Sequence, residues 1–330
     1  SWARGVSGVA DVMIFLLDGV NMKENTKFIR QRKDGLHRGD TVNRFAPTKA
    51  TILLVGETGV GKNLLARCIH DLSPRKGGRF VIMDGATMND NLMESELFGH
   101  EKGAFTGAGA TKIGRIEIAN GGTLFLNEVQ NLSLEMQTQL LEVVESGRFY
   151  RVGGQQEIQS NFRLIVATNQ NLEQLVESGR FRKDFYYRVY RAIIEIPPLR
   201  ERKEDILPLA EHYVQTYSRE LGKTVHLSEA AKELLLAYPW HGNVRELMNA
   251  IHRAVIHCKS AELLPQDFEL KMRREALVVT GKENGLNLEE VERRYIEIVL
   301  ESVNGNNAQA CKILKIDRST LYRKIKNNGE

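Results

Sequence analysis

Residues 51 to 70 read TILLVGETGVGKNLLARCIH: a short apolar run, a glycine-rich loop ending in Lys62, and a segment with Leu64, Leu65, Cys68 and Ile69 at helical spacing. No other feature of the chain narrows its fold as far. A GxxxxGK loop between a strand (Ile52 to Val55) and a helix turns the backbone N–H groups of Gly56, Glu57, Thr58, Gly59, Val60 and Gly61 inward around phosphate oxygens. The helix adds its positive N-terminal end, and Lys62 reaches the outer phosphates. Glycines alone would make only a tight turn. The lysine and both flanking elements together point to an α/β nucleotide-binding fold with ATP as ligand.

A second apolar strand, Thr123 to Leu126, runs into Asn127 and Glu128. Phosphate-handling ATPases present a carboxylate to magnesium from such a strand end, and here the first of the two residues is an amide. Asn63, directly after Lys62, likewise stands where a hydroxyl ordinarily meets the metal, and Leu64 follows it. Amide oxygens ligate a hard cation less strongly than carboxylates, so Asn63 and Asn127 predict a weakened Mg2+ site. Glu128 remains to polarise the attacking water. A third buried-type strand, in LIVATNQN (164–171), ends in Thr168 and Asn169, polar groups suited to sensing phosphate or positioning water. Arg182 and Arg188 lie six residues apart in GRFRKDFYYRV, where either an arginine finger or a salt-bridged face fits.

The 330 residues allow two or more domains, and 42% hydrophobic with 27% charged content is ordinary for a soluble globular protein. Val12 to Leu17, bracketed by Asp11 and Asp18, falls far short of the roughly 20 apolar residues of a membrane helix. No membrane association is expected, and residues 1 to 30 lack the order of a secretory signal. A start at Ser1 rather than Met suggests that the sequence is a fragment. Cys68, Cys258 and Cys311 show no CxxC spacing and read as reduced thiols of a cytoplasmic protein. His252, His257 and Cys258 do not share a helix face and suggest no metal.

The net charge of +4 is matched by residues 305 to 330 alone, where six Lys and Arg face Asp317 and Glu330. That is the footprint of a nucleic-acid-binding module. Asn287 with Glu290 resembles a capping box, and Leu288, Val291, Tyr295, Ile298 and Val299 share one helical face. After the break at Asn304 to Asn307 come a short helix (Ala308 to Leu314), a turn at Lys315 and Ile316, and Asp317 as N-cap of a basic helix from Arg318 to Lys326. This is the pattern of a helix-turn-helix. Arg318, Ser319, Thr320, Tyr322 and Arg323 are placed to reach bases or phosphates, Lys324 and Lys326 to hold phosphates, and Leu321 and Ile325 to face inward.

The stretch SELFGHEKGAFTGA (95–108) resembles the signature loop of the bacterial enhancer-binding proteins, the sigma-54-dependent activators of the AAA+ class. The resemblance continues through GGTLFLNEV, ESGRFYRVGG, VATNQNL, GRFRKDFYYRV, PPLRERKEDI and YPWHGNVREL, over roughly residues 47 to 270. A second resemblance, to the Fis-type helix-turn-helix, covers roughly 287 to 330. The implied architecture is an unassigned arm (1–46), a P-loop AAA+ core with a largely parallel five-stranded sheet (47–196), a helical lid (197–270), a linker (271–286) and a small all-α DNA-binding domain (287–330). The implied activity is ATP hydrolysis in an oligomeric ring, dimer to hexamer, coupled to remodelling of the closed sigma-54 RNA polymerase–promoter complex. Double-stranded, roughly palindromic enhancer DNA is the other implied partner.

By this resemblance, Gly103, Ala104, Phe105, Thr106, Gly107 and Ala108 contact sigma-54, and the hairpin ESGRFYRVGGQQEIQ supports them. Arg182 and Arg188 match trans-acting fingers, Arg245 the sensor arginine of the lid, and Thr168 and Asn169 the first sensor. Three positions depart from the family, which usually has Glu at 63, Asp at 127 and, where Asp84 stands, an asparagine that switches the catalytic glutamate. With the two strands expected as neighbours, Asp84 is read as partly restoring the charge lost at Asn127. Two other readings stay open. One is a regulator that binds ATP and DNA and acts by occupancy with weak or absent hydrolysis; the other is a different DNA-remodelling P-loop ATPase. Lys23 to Arg44 reads as a solvated or mobile arm, adenine contacts are unassigned, and regulation is expected from a separate protein or a further N-terminal region.

Overall fold

The computed structural model describes residues 38–85 and 90–270 and, beyond them, 292, 296, 299, 300, 307–314, 316, 317 and 319–321. The expected linker and five candidate DNA contacts (Arg318, Tyr322, Arg323, Lys324 and Lys326) lie outside the described residues, as do the Asn287 capping box and Ile325. Two compact units divide the chain at Glu269 and Leu270.

In the first unit, a helix α1 (Arg38–Phe45) precedes β1 (Ile52–Val55), α2 (Lys62–Asp71), β2 (Phe80–Asp84), α3 (Asp90–Phe98) and the short antiparallel pair β3 (Gly99–His100) and β4 (Lys112–Ile113). Then follow α4 (Arg115–Ile118), β5 (Thr123–Asn127), α5 (Leu134–Ser146), a hairpin of β6 (Arg148–Tyr150) and β7 (Glu157–Gln159), β8 (Arg163–Thr168), α6 (Leu172–Glu177), α7 (Lys183–Val189) and β9 (Ile193–Glu195). Five of these strands form one parallel sheet in the order β2-β5-β8-β1-β9. A parallel sheet needs both faces covered, which is why its strands are nearly continuous apolar runs.

Strand alternation divides the core in two. Leu53, Leu124, Leu126, Leu164 and Val166 face α3 to α7, meeting Leu97, Ile116, Leu140, Leu175 and Phe185. Ile52, Leu54, Phe125, Ile165 and Ala167 face α1 and α2, meeting Val42, Leu65 and Ile69. Each such fully buried side chain contributes roughly 1.5–3 kcal/mol. Helix ends are set locally: Ser133 accepts from Met136 N to begin α5, and left-handed Gly147 closes it.

Residues 38 to 45, read from sequence as the end of a solvated arm, are instead helical, with Val42 and Ala46 buried against the sheet. The cause is distant in sequence. Arg163 at the start of β8, itself buried, donates to Ala46 O (2.6 Å) and Phe45 O (2.7 Å). Burial pushes its guanidinium down to about 10.

After Pro198, α8 (Ile206–Glu220), β10 (His226–Leu227), α9 (Glu229–Ala237), α10 (Asn243–His257) and β11 (Glu262–Leu263) complete the first unit. Helices α8 and α10 pack through buried Leu209, Tyr213, Leu247 and Ile251. Trp240 is fully buried, its indole N–H donating to Leu235 O (2.8 Å).

In the second unit, α11 (Asn307–Leu314) contributes Ala310 to a small core with Ile296, Val299 and Leu321. Asp317 caps the next helix as expected: Thr320 N donates to its Oδ1 at 2.8 Å. Hydrogen bonds from Ser319, then Thr320, hold the Asp317 carboxyl down at about 2. Among the described residues, no helix is long and apolar enough to cross a membrane.

Candidate active site

Parallel strands end on the same side of a sheet, so the register alone gathers the C-terminal ends of β2, β5, β8 and β1. Asp84 pairs with Asn127, and Val55 with Thr168. Directly beyond β1 lies the phosphate loop, with Gly56 N donating to Thr168 O (3.2 Å). Lys62 is buried and folds back over the loop, donating to Gly56 O (2.7 Å) and Glu57 O (3.2 Å). Burial lowers the pKa of its ammonium, Glu128 opposes that, and Arg245 adds to it. Lys62, Glu128 and Arg245 are thus within electrostatic reach of one another.

Glu128 sits immediately after β5 in left-handed backbone (φ 57, ψ 52). That conformation costs an ordinary residue roughly 1–2 kcal/mol, so the surrounding fold has to hold it. Its carboxylate accepts from Gln130 Nε2, which also donates to Asn169 Oδ1 (3.0 Å). Asn169 Nδ2 in turn donates to Thr58 Oγ1 in the phosphate loop (3.1 Å), and Thr168 Oγ1 donates to Gln130 Oε1 (2.7 Å). Glu128, Thr168 and Asn169 therefore belong to one polar network. Gln130, which joins them, was not singled out from sequence; its place two residues beyond Glu128 was the available signal.

Asn127 Nδ2 donates to Asp84 Oδ2 (3.2 Å), while Asn127 Oδ1 is buried with no hydrogen-bond partner among the described residues. An orphaned amide oxygen beside a carboxylate is a donor set that suits a hard, oxygen-seeking cation. The residues thus fit magnesium through Asn127 and Asp84. Asn63 is exposed in the first turn of α2, with Leu64 half-buried after it.

The lid is latched to the phosphate loop by residues that sequence reasoning passed over. Arg200 clasps Glu57 with two hydrogen bonds (2.9 and 2.6 Å), and Asn243 Nδ2 donates to Glu57 Oε2 (3.0 Å) and Thr58 O (3.1 Å). Arg202 donates to Val60 O (2.9 Å). Gly59 leaves room for this contact, since a Cβ there would meet Gly242 O at 2.4 Å and Arg245 Cβ at 3.2 Å. Arg245 is exposed at the start of α10. The signal for the latch was present in PPLRER and GNVREL, of which only Arg245 had been given a role.

The Arg200 hydrogen bonds hold the Glu57 carboxyl down at about 2 from its ordinary 4.5, against burial, which raises it. A depressed folded value means that the latch is intact above about pH 4.5 and is lost as pH falls toward about 2. Both side chains are more than a third exposed, so solvent screening leaves the pair roughly 1 kcal/mol. Arg200→Ala is expected to speed hydrogen exchange in α10 about five-fold at neutral pH. Glu57→Gln should remove the acid-side change between pH 4.5 and 2. Exchange rates in α10 unchanged by Arg200→Ala would show that the lid does not depend on the clasp.

The GAFTGA segment is the tip between β3 and β4. Positive φ at Gly103 (84°) and Gly107 (106°) brings Gly103 N onto Ala108 O (2.9 Å). Ala104 N donates to Glu101 O, and Ala108 N to Phe105 O. Phe105 is 41% exposed, with its ring edge against His100, and Thr106 is exposed beside it. The β6–β7 hairpin supports this tip. Val152 N donates to Gly99 O (3.0 Å), and a Cβ on Gly153 would strike Ala104 Cβ at 2.8 Å. Arg151 joins Glu101 (2.7 Å) to Glu117 (2.9 Å). Arg151→Ala is expected to raise hydrogen exchange across 99–113 several-fold while leaving nucleotide affinity unchanged. Coupled loss of nucleotide binding would mean that the brace serves the phosphate site as well.

Arg182 pairs with Asp184 (2.7 Å) and Arg188 donates to Val144 O (3.1 Å), while its Nε has no hydrogen-bond partner among the described residues. Neither arginine hydrogen-bonds to the phosphate loop or Glu128 among the described residues. In the second unit, the hydroxyls of Ser319 and Thr320 donate to Asp317 (2.6 and 3.1 Å), so both candidate DNA contacts are occupied in capping. Leu321 faces inward as expected.

Compared with known proteins, residues 29–195 match the sigma-54 interaction domain, half of the chain. The chain belongs to the sigma-54 interaction family. Residues 200–284 match the AAA+ ATPase lid domain, and 287–327 the Fis family of bacterial regulatory proteins. The family match begins well inside the segment read as unassigned, consistent with α1 packing on the sheet. The chain is 46% identical over 234 residues to the sigma54-dependent transcriptional activator SfnR of Pseudomonas putida, covering 71% of this chain and 64% of that one. It is 40% identical over 310 residues to the alginate biosynthesis transcriptional regulatory protein AlgB of Pseudomonas aeruginosa, covering 91% and 69%. The crystal structure of NtrX from Brucella abortus in complex with ADP superposes with a TM-score of 0.65 at 30% identity, over 95% of this chain and 74% of that one. The chain spans from about a third to about two thirds of the length of several curated relatives it matches.

Proposed function

We propose that this family member is an ATP-driven transcription activator that binds enhancer DNA, assembles into a ring and remodels sigma-54 RNA polymerase in the cytoplasm. The observation that carries the reading is one continuous framework. It holds Lys62 and Glu128 at the sheet's C-terminal edge and, through α3 and β3, the exposed Phe105 tip braced by Arg151. Lys62 and the loop N–H groups bind the phosphates of ATP, and the Glu57–Arg200–Asn243 latch holds the lid over them. Glu128 accepts the proton of the attacking water. Thr168 and Asn169 orient the site, and Arg182 and Arg188 serve a neighbouring subunit. Asn127 and Asp84, with Asn63, hold magnesium, which supplies positive charge to the transferred phosphoryl group when bound. The GAFTGA tip meets sigma-54, and Arg318, Tyr322, Arg323, Lys324 and Lys326 meet DNA.

Steady-state ATP hydrolysis with magnesium across protein concentration tests this, comparing the parent with Asn127→Asp. Turnover that rises as subunits associate supports the activator with fingers acting between neighbours. No turnover in the parent and recovery in Asn127→Asp favours the second reading, a ring that holds nucleotide and acts by occupancy. The amides at 63 and 127 are the observation behind that second reading. Failure to bind sigma-54 with a transition-state nucleotide analogue would point instead to another DNA-remodelling ATPase.

A further inference from the structure

Gln130 stands half-buried between Glu128 and the end of β8, and its single amide makes three contacts. Its Nε2 donates both to Glu128 Oε2 and to Asn169 Oδ1 (3.0 Å); its Oε1 accepts from Thr168 Oγ1 (2.7 Å). The orientation of the amide follows from these partners. Turned over, it would set its carbonyl oxygen against both the Glu128 carboxylate and Asn169 Oδ1, and the Thr168 hydroxyl would keep only its longer bond to Gln170 O (3.3 Å). Gln130 therefore dictates the orientation of two other groups. By donating to Asn169 Oδ1 it turns Asn169 Nδ2 toward the phosphate loop, where it meets Thr58 Oγ1 (3.1 Å). By occupying Glu128 Oε2 it leaves the other carboxylate oxygen to accept a proton, on a residue whose left-handed backbone already restricts its approach.

We propose that Gln130 is a positioning residue whose one amide sets both Glu128 for proton transfer and Asn169 for contact with the terminal phosphate. The occupant of the phosphate loop and the state of the general base are thereby linked through a single side chain. This rests on the ATPase reading above, and it adds a residue that the phosphate loop and strand-end motifs do not contain. In the structure the link runs from Thr58 through Asn169 and Gln130 to Glu128, so a ligand that draws Asn169 Nδ2 from Thr58 also pulls on the group that holds Glu128.

The experiment uses the full chain with Gln130→Met, which keeps the length and bulk of the side chain and removes every hydrogen bond. Affinity for a non-hydrolysable ATP analogue and for ADP is measured by displacement of a fluorescent nucleotide, alongside kcat, KM and the melting temperature. The expected result is a kcat about ten-fold lower and an analogue-to-ADP affinity ratio about five-fold lower, with ADP affinity and melting temperature unchanged. Asn169→Ala should lower the same ratio, and the double variant should be no worse than either single one, because residues acting through one link are not additive. A Gln130→Met chain with the parent's kcat and affinity ratio would overturn the proposal, as would a double variant whose losses multiply. A parent that does not hydrolyse ATP sinks the ATPase reading instead. The affinity ratio and its non-additivity with Asn169→Ala would then decide whether Gln130 positions Asn169, and an unchanged ratio would end the proposal.

Discussion

Glu128→Gln is expected to lower ATP turnover by about 10²- to 10⁴-fold, the range a positioned general base contributes, with nucleotide affinity held within about two-fold. The substitution keeps the side chain's shape, and an amide oxygen still accepts from Gln130 Nε2, so the network among Gln130, Thr168 and Asn169 is not dismantled. Only the ability to take a proton is lost. The phosphates are gripped elsewhere, by Lys62 and the loop N–H groups. Single-turnover hydrolysis and fluorescent-nucleotide binding separate the two effects. Parent-like turnover in Glu128→Gln would remove Glu128 from the chemistry and require a different base.

Asp84→Asn should reduce turnover about 10- to 100-fold, as expected when a partner in a metal site is lost, and shift its magnesium dependence to higher concentration. With Asn127 an amide, Asp84 is the carboxylate of the strand-end pair, joined to Asn127 through a 3.2 Å hydrogen bond. Its removal would leave two amides facing the cation. The exchanged pair Asp84→Asn with Asn127→Asp retains one carboxylate in the same register and is expected to recover most of the loss. A magnesium titration of turnover, repeated on the binding of a non-hydrolysable analogue, reads both effects. If Asp84→Asn matches the parent at every magnesium concentration, the charge has not moved to Asp84 and the cation relies on the nucleotide alone.

These two predictions also show how far local sequence reaches. The phosphate loop, the apolar strands at 52–55 and 164–168 and the Asp317 cap were legible because each is encoded within a few adjacent residues. Strand β5 was legible too, apart from its last residue, Asn127. The parallel sheet followed from buried-type strands alternating with helices and from the family resemblance. Helix α1 was misread because Val42, Phe45 and Ala46, though at helical spacing, make a stripe of barely one turn among charges; its end is held by Arg163, more than a hundred residues away.

What the linear chain determined by itself was the chemistry available: a lysine in a glycine loop, a glutamate at a strand end, a family-defining loop carrying a phenylalanine, and amides where acids are usual. Tertiary structure decided which of these groups act together. The strand order set Asp84 beside Asn127, the reach of one glutamine joined Glu128 to Asn169, and the return of the lid closed Arg200 and Asn243 on Glu57. Contacts across 39 to 186 residues leave no local pattern, because a hydrogen bond depends on where the folded backbone carries its donor and acceptor and not on their separation along the chain.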